Sequence, residues 1–202
     1  MYKMHAWVQK DPWISGKARI MIQLRHARIE ESKQILAFYK DIINTTDEEF
    51  NPKWNDNYPN SEFIENSIIK KELYIARKDE MIISSVIVND DFDSHYDDTD
   101  WIVNAKKDEI AAIHTFAVNP ACRGRGISKR IFDIIKSHCL KNNKKSIRID
   151  VIDGNVGAQG VFKRLGFVYI DTFEVHHDAV GLENFHLYEY VLEWKMGFSN
   201  PF

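Results

Sequence analysis

The sequence predicts an α/β fold, in which helices are interleaved with a mixed, mostly antiparallel sheet that contains one parallel strand pair. Three observations lead to this prediction. Short apolar segments rich in β-branched residues alternate with segments of helical periodicity. Near the middle of the chain the order is strand, glycine-containing loop, helix, strand, and such a crossover joins parallel strands. The other strand segments include two that a short polar turn connects, as in an antiparallel hairpin.

Composition predicts a soluble globular protein. The chain has 202 residues, which suits one domain or one domain with an appendage. Its hydrophobic content of 44% and charged content of 28% are ordinary for globular proteins. The net charge of −3 provides no basic field for nucleic acid. No apolar run approaches the roughly 20 residues of a membrane span, and the N-terminus lacks the apolar centre of a signal peptide. We therefore expect neither a nucleic-acid nor a membrane partner.

The cysteines and the clustered histidines give no metal or disulfide signature. Cys122 and Cys139 are the only cysteines and form no Cys-x-x-Cys motif, which fits a reducing cytoplasm. His176, His177 and Asp178 are adjacent, so successive side chains on a strand would point apart. We therefore expect a cytoplasmic protein without a metal.

The first residues differ from the rest of the chain because they show no clean periodicity. A strand and helix pattern begins only at Met21, which offers a second plausible start. Trp7 and Trp13 would pack on the domain or on a neighbouring chain. A homodimer would supply such a neighbouring chain. We expect three parts: an N-terminal extension over residues 1–20, a domain over 21–196 and a C-terminal tail over 197–202.

The first half contains two predicted helices and three predicted strands. They are a strand over residues 21–28, helices over 30–43 and 61–71, and a hairpin with strands over 73–77 and 81–89. Pro52 and Pro59 break the segment between the helices. Trp54 and Tyr58 within it would line an acceptor pocket or cap the core.

The second half begins with an aspartate-rich loop. The loop contains Asp90, Asp91, Asp93, Asp97, Asp98 and Asp100. After it, residues 101–105 would open a strand or form an extra hairpin arm. The later predicted elements are strands over 109–118, 146–151, 168–175 and 185–194, with a helix from Ile127 after the first of these.

A short basic loop separates the strand over residues 109–118 from that helix. It runs Arg123-Gly124-Arg125-Gly126-Ile127-Ser128. The first turn of a helix has backbone N–H groups without intrahelical partners and a partial positive charge. The two glycines permit close approach to the backbone, and the two arginines add full charges. The loop therefore predicts an anion site, most plausibly for phosphate.

Two common phosphate motifs do not match this loop. The string G-x-x-x-x-G-K-[ST] is absent from the chain, and G-x-G-x-x-G would need a glycine where Lys129 stands. A nucleotide-binding module that uses the same glycines stays an alternative.

A second motif follows the strand over residues 146–151. It runs from Asn155 through Ala158 and Phe162 to Gly166 and Phe167. Together with the Arg-Gly-x-Gly-Ile loop, it resembles the GNAT superfamily of acyl-CoA-dependent N-acetyltransferases. The resemblance implies a GNAT fold for the domain, with a parallel strand pair that splays apart. It also implies acetyl-CoA as co-substrate and transfer of an acetyl group to a primary amine of a small molecule or peptide.

The resemblance also assigns the residues that bind acetyl-CoA. Backbone groups of Phe116, Ala117 and Val118 would pair with the pantetheine arm, as an added strand pairs with a sheet edge. The pyrophosphate would be held by Arg123, Gly124, Arg125, Gly126, Ile127 and Ser128. Asn155 matches the family asparagine near the pantetheine arm, and its position suits a helix N-cap equally well.

Phe162 departs from the family pattern, which has tyrosine there to protonate the departing thiolate. Phenylalanine has no proton to donate. Three explanations are open. Another group, such as Tyr169, Tyr188 or water, would donate the proton, or no acid is needed because the thiolate is a tolerable leaving group near neutral pH. In the third, the protein is a non-catalytic acyl-CoA sensor. We favour the second explanation, since general acid help is worth about 10²- to 10⁴-fold and its loss slows an enzyme without abolishing it.

The acceptor amine must lose a proton, because an alkylammonium has a pKa of about 10. His114 is the best local base, since a histidine accepts a proton near pH 7. On a regular strand it shares a face with Ala112 and Phe116. A hydrogen-bonded core histidine is the alternative, and Glu109 is the second candidate base. The aspartates of residues 90–100 would attract a cationic acceptor or form a solvated loop.

Overall fold

The computed structural model describes residues 7–8, 22–46, 52–92, 96–177 and 181–192. Within these ranges, eight strands form one sheet. The strands are β1 (Trp7–Val8), β2 (Gln23–His26), β3 (Leu73–Lys78), β4 (Met81–Asn89), β5 (Ile110–Val118), β6 (Ser146–Ile152), β7 (Val168–His177) and β8 (Gly181–Val191). The helices are α1 (Ser32–Thr45), α2 (Ser61–Ile69), α3 (Ile127–Lys141) and α4 (Val156–Leu165).

The sheet has the order β1-β2-β3-β4-β5-β6-β8-β7. Every neighbouring pair is antiparallel except β5 and β6, which are parallel and are joined through α3. The predicted fold class is therefore confirmed.

The helices form where the apolar spacing predicts them, and a side-chain cap supports the first turn of α2. In α3, Ile127, Ile131 and Ile134 are buried on one face. The side chain of Asn60 caps α2 by accepting a hydrogen bond from the backbone N–H of Phe63 at 2.9 Å.

The sheet has an apolar core on each side. On one side, α3 and α4 cover a cluster that includes Ala111, Ile113 and Ile147. On the other side, α1 and α2 cover a cluster that includes Ile87 and Ala117. Strand residues therefore alternate between two buried surfaces, so the central strands are almost continuously apolar.

Residues 101–105 form no strand, which makes that prediction wrong. Side chains satisfy this backbone instead, because the N–H of Val103 donates to Glu189 Oε2 at 3.1 Å and its carbonyl accepts from Arg148 Nη2 at 2.9 Å. The Arg148 guanidinium also stacks on the Trp101 ring at 4.1 Å. A buried ion pair thus anchors a segment whose sequence resembles a strand.

Several sequence boundaries shift. β7 extends to His177, two residues beyond the strand predicted over 168–175, and β8 begins at Gly181, before the predicted start at residue 185. Trp7 and Val8 belong to the predicted N-terminal extension, and they form β1 at the edge of the sheet, where Trp7 pairs with Leu24. Trp13, Asp93 and Asp178, together with the predicted tail over 197–202, lie outside the described residues.

Candidate active site

The parallel strands β5 and β6 separate after a short paired stretch. Their register contains only the pairs Ile110 with Ser146, Ala111 with Ile147, and Ala112 with Arg148. Beyond them, residues 113–118 of β5 and 149–152 of β6 line a cavity of about 960 Å³. The separation exposes strand backbone to a space large enough for an extended ligand.

A bulge in β5 sets which side chains face each side of this cavity. Ser85 lies opposite Ala117 and Ile87 opposite His114, so two residues of β5, Thr115 and Phe116, oppose one residue of β4. Thr115 has a φ of 46°, in the left-handed region.

The bulge corrects the predicted side-chain alternation. Phe116 packs with the cluster beneath α3, whereas Ala117 packs with the cluster beneath α1. His114 therefore shares its face with Ala112 and Ala117, and the expectation that it shares a face with Phe116 is wrong.

Hydroxyl groups support the bulge from the α1 side. The Tyr39 hydroxyl lies 3.0 Å from the Thr115 carbonyl oxygen and 2.9 Å from Ser85 Oγ. Because the carbonyl can only accept, Tyr39 donates to it. Ser84 Oγ donates to the Ala117 carbonyl at 2.8 Å. Complete burial raises the pKa of Tyr39 to about 12, so this donor stays protonated at neutral pH.

The glycine loop forms one end of the cavity. Gly124 and Gly126 line it with φ values of +72° and +70°, and a Cβ added to either would meet no atom within 4 Å. Gly126 is the N-cap of α3, a helix of 15 residues. Lys129 and Arg164 also line this cavity. The open backbone, the helix N-terminus and the basic side chains fit a bound pyrophosphate.

The arginines of the loop occupy different positions. Arg123 lines the cavity, and its Nη2 donates to Thr46 Oγ1 at 3.1 Å just beyond the end of α1. Arg125 is exposed and lies outside the cavity lining. Ile127 and Ser128 line the cavity together with the glycines.

Asn155 and Phe162 bring α4 to the cavity. Asn155 is the N-cap, since its Oδ1 accepts from the Ala158 N–H at 3.1 Å, and it also lines the cavity. Phe162 is buried, with ring centroids 6.2 Å from Phe116 and 5.3 Å from Phe167. The position of the family tyrosine is thus part of an apolar wall.

The two tyrosines named as replacement acids lie elsewhere. Tyr188 is buried in the core beneath α3, and burial raises its pKa. The exposed Tyr169 hydroxyl lies 2.8 Å from Thr172 Oγ1. Neither tyrosine lines the cavity.

His114 lines the cavity, and its hydrogen bonds fix its tautomer. Its Nε2 lies 3.0 Å from Asn89 Oδ1 and 2.9 Å from the Asp91 carbonyl oxygen. The Asn89 amide orientation follows from its Nδ2, which donates to Glu72 Oε2 at 3.2 Å. Both partners of Nε2 are therefore acceptors, so Nε2 carries the proton and Nδ1 of the neutral ring can accept one.

Glu109 does not belong to this site. It lies immediately before β5, where its carboxylate pairs with Lys145 Nζ at 2.8 Å. The hydrogen bond from Lys145 lowers the pKa of Glu109. It does not line the cavity.

The lining contains several polar residues that the sequence analysis did not name as candidates, among them Glu72, Asn89 and Asp150. Asp150 had a sequence signal, because a carboxylate stands among the apolar residues of β6. Of the predicted acidic loop, Asp91 is the only described aspartate in the lining. Trp54 and Tyr58 both line the cavity, and Trp54 also packs against the core beneath α1.

The comparison with known families decides the class of this protein. The model of the acetyltransferase (GNAT) family matches residues 37–167, more than half of the chain. The chain belongs to the GNAT acetyltransferase family. This family is the one that the two sequence motifs resemble.

Individual relatives agree with this assignment. An uncharacterized N-acetyltransferase of Methanocaldococcus jannaschii is 37% identical over 70 residues, which cover 35% of this chain and 31% of the relative. The chain thus spans about a third of the length of this curated relative.

Solved structures share the fold. A GNAT-family acetyltransferase of Streptococcus agalactiae superposes with a TM-score of 0.67 at 22% identity, covering 86% of this chain and 96% of the other. An acetyltransferase of Salmonella typhimurium, solved with its cofactor acetyl-CoA, has a TM-score of 0.58 at 12% identity and covers 88% and 98%.

The described ranges contain neither a metal-binding cluster nor a membrane-spanning helix. Among these residues, no group of three or more His, Cys, Asp or Glu side chains is arranged to hold a metal ion. No helix in the same ranges is both long and apolar enough to cross a membrane.

Proposed function

We propose that this GNAT acetyltransferase moves an acetyl group from acetyl-CoA to a primary amine of a small molecule or peptide, by direct attack in a ternary complex. The observation that supports it best is that one cavity contains both the glycine loop of α3 and the oriented His114. The proposed anion site and the proposed base thus line the same gap between β5 and β6.

The donor would be held along this gap by backbone groups. Loop residues 123, 124 and 126–128, with the N-terminus of α3, would bind the pyrophosphate. The backbone of residues 116–118 would pair with the pantetheine amides, since the parted strand β6 leaves this side of β5 without a neighbour. Bound acetyl-CoA supplies the activated thioester.

His114 would act as the general base. Its Nε2 proton is directed to Asn89 and Asp91, so Nδ1 would accept the proton of the acceptor ammonium. Glu72 and Asn89 hold this tautomer through hydrogen bonds. Glu109 is not proposed as the base, because it pairs with Lys145 outside the cavity.

Phe162 would act by packing alone. It would exclude water near the thioester sulfur, and the thiolate would leave without a protein acid, since neither Tyr169 nor Tyr188 lines the cavity. The corresponding cost is at most that of a missing general acid, about 10²- to 10⁴-fold in rate.

The test is acetyl transfer to a panel of alkyl amines, polyamines and peptides. Thiol release from acetyl-CoA is followed together with the mass of the acetylated product. We expect amine-dependent thiol release that matches product formation. A protein that binds acetyl-CoA but turns over no amine would be the acyl-CoA sensor that Phe162 suggests, and the proposal would be wrong.

A further inference from the structure

Asp150 occupies the position on β6 that corresponds to His114 on β5. The last register pair of the two strands is Ala112 with Arg148, and each of these two residues lies two positions before His114 or Asp150. Paired residues of parallel strands face the same side of the sheet, and side chains two positions apart share a face. His114 and Asp150 are thus the first side chains on that face beyond the point of separation, and both line the cavity.

Among the residues that the structure describes, one hydrogen bond holds the Asp150 carboxylate. Its Oδ2 accepts from the Tyr96 hydroxyl at 3.1 Å. Tyr96 is 2% exposed, with its ring between Phe92 and Trp101 at centroid distances of 5.2 and 5.1 Å. Trp101 Nε1 donates to the Tyr96 carbonyl at 2.7 Å. This aromatic stack places the Tyr96 hydroxyl and therefore orients the carboxylate.

Within the described residues, no cation of the protein neutralises Asp150. Arg148 precedes it on the same face, yet its guanidinium pairs with Glu189 at 3.1 Å. Three lysines lie near the aromatic side of the cavity, and none of them forms an ion pair with Asp150. Lys53 pairs with Glu183, Lys107 lies over the Phe92 ring and pairs with Asp91, and Lys70 lines the cavity. A half-buried carboxylate with one neutral donor gains most from a ligand that brings a positive charge.

The cavity wall on this side suits an alkylammonium group. Trp54, Tyr58 and Phe63 line the same cavity, as does Phe92, whose ring is already stacked on Tyr96 and contacted by the ammonium of Lys107. Aromatic faces attract cations, and their edges pack against methylene groups.

We propose that Asp150 binds the ammonium group of the acceptor and that Tyr96 is its positioning residue, so that the acceptor class is a cationic alkyl amine. This inference rests on the proposed acetyl transfer. Asp150 would hold the ammonium while His114 Nδ1 removes one of its protons. The amine nitrogen then forms the N–C bond, the C–S bond breaks, and the second N–H proton leaves with the sulfur as thiol.

The direct test is a binding titration of 1,5-diaminopentane into the protein saturated with CoA. We expect Asp150→Asn to weaken binding by about tenfold or more, as loss of a buried charge contact does. Tyr96→Phe should weaken it by a smaller factor, because it removes only the orienting hydrogen bond. The control is Asp108→Asn, an exposed carboxylate outside the cavity, which should bind as the wild type does. Equal affinity of wild type and Asp150→Asn, or no binding by the wild type, would overturn the inference.

Kinetics separate this inference from the proposed function. In Asp150→Asn, the KM for the alkyl amine should rise while the KM for acetyl-CoA stays unchanged, and a hydrazide nucleophile that is uncharged at the assay pH should react as with the wild type. An equal loss for both nucleophiles would overturn the role of Asp150. Asp150-dependent amine binding without any acetyl transfer would instead contradict the proposed function and support the binding site.

Discussion

The paired half and the open half of the β5–β6 strand pair both carry charged and polar side chains, but these side chains contact different partners. In the paired half, charges neutralise one another: Arg148 pairs with the fully buried Glu189, and Lys145 pairs with Glu109. In the open half, His114 and Asp150 face a cavity. Charge that is satisfied within the protein stabilises the fold, whereas polar groups left toward a gap are available to a ligand.

The largest effect is expected in the open half. His114→Gln should lower kcat by about 10²- to 10⁴-fold, because a glutamine cannot accept the ammonium proton. The free energy of unfolding should change little, and the affinity for acetyl-CoA should be retained. Steady-state kinetics with urea unfolding test this. A kcat within a few fold of the wild type would place the base elsewhere.

The paired half should respond in stability. Arg148→Met leaves Glu189 buried without its partner and should lower the free energy of unfolding by about 3–5 kcal/mol. Urea unfolding measures this loss. The double variant Arg148→Met with Glu189→Leu should recover much of it, since no unpaired charge remains. If Arg148→Met is as stable as the wild type, the ion pair between Arg148 and Glu189 does not stabilise the paired half.

The support beneath the bulge should give an intermediate effect. Tyr39→Phe leaves the buried Thr115 carbonyl without its donor and should cost about 1–3 kcal/mol at pH 7. The folded pKa of Tyr39 is raised to about 12, above the unfolded value of about 10. Its stabilisation is therefore complete below pH 10 and is lost as the pH rises toward 12.

Urea unfolding at pH 7 and pH 11 tests the alkaline part of that prediction. The difference in stability between wild type and Tyr39→Phe should shrink at the higher pH. Tyr74 and Tyr188, whose pKa values are also raised by burial, remain in both proteins and serve as the internal control. A difference that grows with pH would contradict the assignment.

The smallest effect is expected for Glu109→Gln. Solvent screens this ion pair with Lys145, so both stability and kcat should stay close to the wild type. The measurements are the same urea and kinetic assays. A large fall in kcat would make Glu109 a functional residue despite its place outside the cavity.

Local patterns predicted much of this molecule. The start of α3, the bounds of β4 and the position of the glycine loop follow from periodicity and turn residues, which act over a few residues. The glycine loop is correctly placed for the same reason, because Gly124 and Gly126 permit the left-handed backbone that this turn adopts.

Features that depend on distant partners could not be predicted. The bulge at Thr115 depends on β4 and on Tyr39, so a regular alternation put Phe116 on the wrong face. Residues 101–105 have strand-like composition, but Arg148 and Glu189 bind their backbone instead. Asp150 was missed although its carboxylate stands out among the apolar residues of β6, because its place just beyond the last pair of β5 and β6 depends on the register of the two strands.

The most direct test of the open half is calorimetric titration of acetyl-CoA into the wild type and two glycine variants. Gly126→Val and Gly154→Val introduce the same left-handed strain at φ values of +70° and +84°, but Gly126 alone of the two lines the cavity. We expect micromolar binding to the wild type and to Gly154→Val, and loss of binding in Gly126→Val. Equal binding by both variants, or none by the folded wild type, would contradict a donor site between the parted strands.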